Sequence, residues 1–361
     1  MGASVSYWAT FSIAVGAVIV FVSASTLVLK YSWKTPSRAR RIFPNLVLVI
    51  TSLAVLGLCT EVVFKEFVAL TDGFGFTHAA RNWHERYWGH VNSRGYRDRD
   101  WNAADIQDKR KIYVTGDSFV AGCGIKNVKD RFPDILQNVL GDGWVVQNIA
   151  TPGWATQDEY NAVTGVSPKP DILILSYFIN DIQNAAIKNG YGMPPSPVPP
   201  QGLLGEALEK SYAFNFFYWR VYRSVQGSES DYLNYMYRMY NNKKAWGTHE
   251  EEMLAFCRWA RENNVSLLVV IFPYSLDLKS SAPICSRVAA FFKSNGASVI
   301  DLTGELAGWD KDDLIVSRMD GHPSVKLHRY VAGRLYKELR LMSMAGAAWQ
   351  KDMPGFNSKS E

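Results

Sequence analysis

The sequence predicts a parallel α/β sheet with helices on both faces, carried behind two membrane-crossing helices. Three observations lead there. Two long apolar runs open the chain, from about Trp8 to Leu29 and from about Leu46 to Phe64. From Lys111 onward, strand-length apolar runs alternate with segments of helical period. Short turns bearing Ser, Asn, Asp, Gly and His stand at the ends of those runs.

At 361 residues, 47% hydrophobic and 20% charged, the chain can hold one domain of ordinary size and something more, and it is not disordered. The net charge of +5 is modest and gives no reason to expect a nucleic-acid partner. Four cysteines, Cys59, Cys123, Cys257 and Cys285, lack metal-type spacing, so no metal is expected. Pairing of Cys257 with Cys285 stays open for a domain outside the cytoplasm.

Each apolar run is nearly free of charge and approaches the length needed to cross a bilayer, roughly 30 Å at 1.5 Å per residue. The connector between them carries Lys30, Lys34, Arg38, Arg40 and Arg41 and no acid. By the positive-inside rule it is cytoplasmic, which puts everything after Phe64 outside the cytoplasm. The expected location is the plasma membrane, with a periplasmic domain in a Gram-negative cell. Val22-Ser23-Ala24 resembles a signal-peptidase site but follows no basic region, and the opening MGASVS matches a short myristoylation pattern. Neither is adopted. Residues 71–110 are rich in Trp, Tyr, Arg and His, including Trp83, His84, Trp88, His90 and Trp101. They read as an interfacial belt or packed linker, with a carbohydrate-contacting surface as the sharper alternative.

The alternation then runs in order. Ile112-Tyr113-Val114 is a buried strand, and 130–140 a helix ending at Gly141. Strands follow at 144–149, 171–178, 265–272 and 298–302, making five. Thr156 to Glu159 and Thr248 to Glu251 are expected capping boxes, and the last helix spans about Ser324 to Leu341. The insertion 182–247 breaks the rhythm, with a proline-rich opening (Met193 to Pro200) and aromatic helical sequence from Tyr212 to Tyr240. Leaving from a strand's C-terminal end, it is expected to overhang the site as a lid or substrate platform, or to be a structural side-arm.

Four pieces at predicted strand ends or before the last helix carry the chemistry: Gly116-Asp117-Ser118, NIATPG (148–153), Asn180-Asp181 and Asp320-Gly321-His322-Pro323. These residue types in this order suit acyl transfer through serine. Ser118 is the candidate nucleophile and His322 its base, with Asp320 holding the imidazole. Ser118 N–H, Gly153 N–H and the Asn180 amide are the candidate oxyanion donors.

The blocks GDSFVAG, NIATPG, the ND of YFINDI and DGHPS resemble those of the SGNH (GDSL-type) hydrolase superfamily over about residues 90–342. The lead-in NSRGYRD (92–98) resembles a segment that precedes the first block in many bacterial members. The resemblance implies a flavodoxin-like three-layer α/β/α fold, Ser118 as nucleophile, His322 as base, Ser118, Gly153 and Asn180 as oxyanion donors, and no cofactor. Two positions depart from the family pattern. Phe178 stands where the third block usually has glycine, and the usual Asp-x-x-His would place the acid at Met319 rather than Asp320. The Asp-x-His spacing is similar to that of SGNH-type polysaccharide acetyltransferase domains.

The expected plan is an anchor (1–70, helices at about 8–29 and 46–64), a linker (71–110), a hydrolase domain (111–345) and a tail (346–361). The expected activity is a membrane-anchored serine esterase acting on an acyl ester, with O-acetylated glycan as the specific expectation. A polysaccharide O-acyltransferase, which would need a membrane acyl-donor partner, and a non-catalytic glycan-binding module are the alternatives.

Overall fold

A computed structural model describes residues 2–31, 38–194, 196–225 and 228–344. The centre of the basic connector, with Lys34, and the tail 346–361 lie outside the described residues. In chain order the elements begin with α1 (Gly2–Tyr31), α2 (Arg38–Phe67), α3 (His78–Tyr87), α4 (Ala103–Ile106), β1 (Arg110–Gly116), α5 (Ser118–Ala121), α6 (Phe132–Leu140) and β2 (Trp144–Ala150). There follow α7 (Thr156–Thr164), β3 (Ile172–Phe178), α8 (Gln183–Lys188), α9 (Gly202–Lys210), α10 (Tyr212–Val225), α11 (Ser228–Asn241) and α12 (Lys243–Glu262). The chain ends with β4 (Ser266–Phe272), α13 (Leu278–Ser294), β5 (Ser298–Asp301), α14 (Leu302–Glu305), α15 (Lys311–Leu314), β6 (Ile315–Ser317), β7 (Asp320–Pro323) and α16 (Val325–Met344).

Two compact units emerge. The first contains Met1–Leu70, Gly75–Trp83 and Val198–Val225. Within α1 and α2, Tyr7–Val28 and Ile42–Phe67 are long and apolar enough to cross a bilayer, and their apolar windows are 6% and 0% buried. An interior helix of a water-soluble core would be mostly covered; these face outward. The same unit takes part of the expected insertion, because the rings of α10 find their apolar partner on α2. Phe64 lies 4.8 Å from Phe216 and 5.3 Å from Phe217 between ring centroids. The insertion is therefore not one piece: residues 198–225 cluster with the apolar helices, and those from Gln226 onward with the sheet. Which apolar surface a helix meets is a tertiary matter that its own periodicity does not encode.

The second unit contains Thr71–Phe74, His84–Pro197 and Gln226–Glu361. Its five strands are all parallel, in the order β2-β1-β3-β4-β5. This is the flavodoxin-like order, whose direction of winding reverses between β1 and β3 and leaves a crevice at their C-terminal ends. β2 and β3 are buried at every position, as strands covered on both faces must be. Helix α6 packs on α16, and α12 packs on α7 and α8, to cover the sheet. In-register pairs such as Gly116 with Ala150 bring the ends of β1 and β2 level.

Two helix starts differ from the sequence expectation. Thr156 is the first residue of α7 rather than its cap, and Asp158 reaches back to accept from Ala155 N at 3.2 Å. Thr248 lies inside α12, which begins earlier because Asn242 Oδ1 accepts from Lys244 N and Ala245 N at 3.0 and 3.1 Å. An asparagine cap with two amides outcompetes the later Thr-x-x-Glu pattern. Cys257 on α12 and Cys285 on α13 are free and buried, as two separate thiols.

Candidate active site

The site starts from the turn after β1. A Cβ at Gly116 would stand 2.5 Å from Val120 Cγ2 and 3.0 Å from Ser176 Cβ, so only glycine lets the chain turn this tightly beside β3. Asp117 caps the short helix α5, its Oδ1 accepting from Phe119 N at 2.9 Å. Ser118 is the first residue of that helix, a position whose N–H has no partner within the helix. Gly122 ends it at φ 76°, and a Cβ there would meet Arg131 Cδ at 2.4 Å. Ser118 thus has a partly exposed side chain on a turn fixed at both ends.

Asp117 is buried and joins two blocks. Its Oδ2 accepts from Asn180 Nδ2 at 3.1 Å and from Ser118 Oγ at a long 3.5 Å. Burial raises its pKa, opposed by the Phe119 amide, the Asn180 side chain and the His322 charge. Asn180 sits in the short 3-10 helix Ile179–Ile182 directly after β3. Buried Asp181 ties that helix back to the strand by accepting from Phe178 N at 3.1 Å.

The last block stands just before α16, as expected, and is itself a strand. Asp320 and His322 lie on β7, which pairs antiparallel with β6. Two residues apart on a strand, their side chains share a face. His322 Nδ1 and Asp320 Oδ1 are in a close hydrogen bond, and His322 N donates to the same oxygen at 3.1 Å. Asp320 is fully buried and the His322 side chain 17% exposed. Burial would raise the Asp320 pKa, but the His322 charge and its hydrogen bonds, aided by the Thr71 hydroxyl, bring it down to about 2. Burial likewise works against the charged His322, yet Asp320 outweighs it and the pKa is raised, with smaller contributions from Asp117 and Asp72. Only the Nδ1 side is occupied by the carboxylate, which leaves Nε2 for a proton.

Phe119 connects the clusters, its ring standing edge-on to His322 at 5.7 Å between centroids. Ser118 Oγ points to Asp117, and among the described residues it has no hydrogen bond to His322. Such contacts are often loose without substrate. Gly153 lies in an exposed turn at φ 85° after β2, next to the Thr151–Trp154 hydrogen bond of 3.2 Å. At partly buried Cys123, next to this turn, burial, with the Asp320 and Asp117 charges, pushes the thiol pKa up and disfavours the thiolate. Among the described residues no group of three or more His, Cys, Asp or Glu could hold a metal ion.

Several supporting residues had no role assigned from sequence. Buried Arg97 donates to the carbonyls of Trp88, Tyr87, Gly122 and Ile125 at 2.6–2.8 Å, tying the lead-in segment to the end of the Ser118 helix. Arg131 adds a bond to Arg97 O at 2.6 Å. Phe178, at the family's glycine position, packs 4.4 Å from Phe119 and starts an aromatic row through Tyr274 to Tyr232 of α11. The sequence signals were the lead-in NSRGYRD (92–98), which contains Arg97, and the departure from glycine at Phe178; Arg131 had none.

No protein-family model matches the chain, and no curated protein does. Among solved structures it is similar to TesA (12% identity, TM-score 0.41, covering 64% of this chain and 99% of that one). It is similar to a carbohydrate acetylesterase family member from Sinorhizobium meliloti (13%, TM-score 0.36, 64% and 98%). It is also similar to AlinE4, an SGNH-hydrolase family esterase (13%, TM-score 0.36, 67% and 100%).

Proposed function

We propose that this chain is an SGNH-type serine esterase, anchored in the plasma membrane by α1 and α2, with its catalytic unit outside the cytoplasm. The observation that carries the proposal is the buried Asp320–His322 pair on β7, beside a serine on a glycine turn at the β1 end. Ser118 Oγ attacks the ester carbonyl while His322 Nε2 takes its proton, and Asp320 holds the imidazole and stabilises the imidazolium. The developing oxyanion is met by the Ser118 N–H, the Asn180 amide and the Gly153 N–H. The alcohol leaves with the proton from His322, and water, activated by the same histidine, releases the acid. The substrate we favour is an O-acetyl ester on glycan.

The Asp-x-His spacing supports a second reading, in which a sugar hydroxyl replaces water at the acyl-serine and a membrane partner supplies the acyl group. The test is hydrolysis of p-nitrophenyl acetate by the full chain in detergent, beside Ser118→Ala. Serine-dependent release is expected; faster release with added glycan, accompanied by glycan acylation, selects the transferase. A folded wild-type chain with no serine-dependent turnover refutes the esterase and leaves the transferase, which then depends on its membrane acyl donor.

A further inference from the structure

The helix pair α9–α10 has an apolar face that nothing in the catalytic chemistry uses. Leu203 is 87% exposed, Leu204 41%, Phe214 43% and Phe217 53%. On α10 the two rings stand three residues apart on one side, while Asn215 and Trp219 are buried on the other. Exposed apolar rings of this size on a water-facing helix would be a liability.

The N-terminal end of α10 is held by a carboxylate from an apolar helix. Glu61, inside the span Ile42–Phe67, accepts from Ser211 Oγ at 2.8 Å, Tyr212 N at 2.5 Å and Ala213 N at 3.2 Å. The acid in the second apolar run is thereby a helix cap, matched to the positive end of α10. One turn on, Lys65 Nζ lies 5.0, 5.1 and 5.4 Å from the ring centroids of Tyr7, Trp8 and Tyr212. A lysine among Tyr and Trp rings at the end of an apolar span is the chemistry of the headgroup level.

We propose that α9 and α10 form an interfacial membrane-binding pair, with Leu203, Leu204, Phe214 and Phe217 seated in the headgroup–acyl boundary of the bilayer that α1 and α2 cross. The proposal rests on the anchor reading given above. The occupant is lipid because this face continues a surface that already needs it: Phe217 lies against Phe64 of α2, whose apolar window has no buried residue. Exposed Arg220, 4.3 Å above the Phe216 ring, and Lys210 on the same helix pair suit anionic headgroups. Part of the inserted segment is therefore an extension of the anchor and not a substrate lid.

The test places an environment-sensitive fluorophore on one added cysteine at a time of the full chain in a Cys59→Ser, Cys123→Ala background, the buried Cys257 and Cys285 left in place, reconstituted in phosphatidylcholine–phosphatidylglycerol vesicles. The sites are Phe217→Cys and Leu203→Cys, with Leu53→Cys on α2 and Asp142→Cys in the catalytic unit as references. Lipid nitroxides near the headgroup end of the acyl chain should quench the Phe217 and Leu203 labels most, with emission blue-shifted from the Asp142 label. Nitroxides near the chain's methyl end should quench the Leu53 label most. If the Leu53 label behaves so but the Phe217 and Leu203 labels answer only to a water-soluble quencher, the interfacial pair is refuted and the anchor stands. Shielding of those two labels from both quenchers means a protein covers the face, and also refutes it. A Leu53 label unquenched by any lipid nitroxide overturns the anchor reading itself. Unchanged thermal unfolding of each labelled chain certifies its fold.

Discussion

Replacing Asp320 with Asn tests the acid of the triad directly. The side chain keeps its size, loses its charge and can no longer accept from His322 Nδ1 through that charge. The Asp320 pKa is brought down from 3.8 to about 2 against the cost of burial, a preference for the ionised pair on the order of 2 kcal/mol. If the transition state loses that stabilisation alone, kcat/KM drops by a factor on the order of tens. Wrong orientation of the imidazole tautomer adds to the loss, and the analogous change in a serine protease reaches about 10⁴-fold. The expected range for Asp320→Asn is therefore about 10² to 10⁴, measured with p-nitrophenyl acetate against pH. The profile carries a second signature. Asp320 is what raises the His322 pKa over the lowering effect of burial. Without it burial prevails, His322 is neutral to lower pH, and the acidic limb of kcat/KM shifts down. Activity within tenfold of wild type would refute Asp320 as the acid, and loss through Asp72→Asn instead would move the role to that carboxylate. A large loss with an unmoved acidic limb would mean that Asp320 only supports the strand.

Three further outcomes follow from the geometry. On the proposed mechanism, in which its amide serves the oxyanion and not the bound ester, Asn180→Ala should lower kcat by about 10² to 10³ with little change in KM; a loss of only a few-fold would exclude that role. Gly116→Ala forces a methyl to 2.5 Å from Val120 Cγ2 and should cost about 1–3 kcal/mol, seen as a lower Tm together with reduced turnover. Glu159→Gln should stabilise the protein at alkaline pH. Glu159 is buried, and burial, then the Asp117 and Asp158 charges, raise its pKa well above 4.5. The folded state then holds the proton that the unfolded chain releases, so stability is complete below about pH 4.5 and falls as pH rises toward the folded pKa. Glutamine removes that fall, and a Tm gain absent at about pH 4 but present at about pH 8 is the expected reading.

Much of this protein was legible in its sequence because the signals are local. Apolar runs whose one charge is Glu61 located α1 and α2, though α2 starts eight residues before its run, and strand-length runs rich in Ile, Leu and Val gave the five strands within one or two residues. A serine after Gly116 and an asparagine directly after β3 mark strand ends, so the order of the chemistry was readable before its geometry. Helix starts were less secure: the expected cap Thr248 lies inside α12, whose start is capped by Asn242.

Tertiary structure decided the rest. The pairing of His322 with Asp320, which the sequence offered only by residue type and spacing, comes from β7: a strand's two-residue period puts the two on one face. That Asp117 links Ser118 to Asn180, across sixty residues, follows from β1 and β3 being neighbours. The division of the insertion, with α10 on α2 and α11 with the sheet, depends on which exposed apolar surface each helix meets. Periodicity fixes which side of a helix must be covered; only the folded chain decides by what.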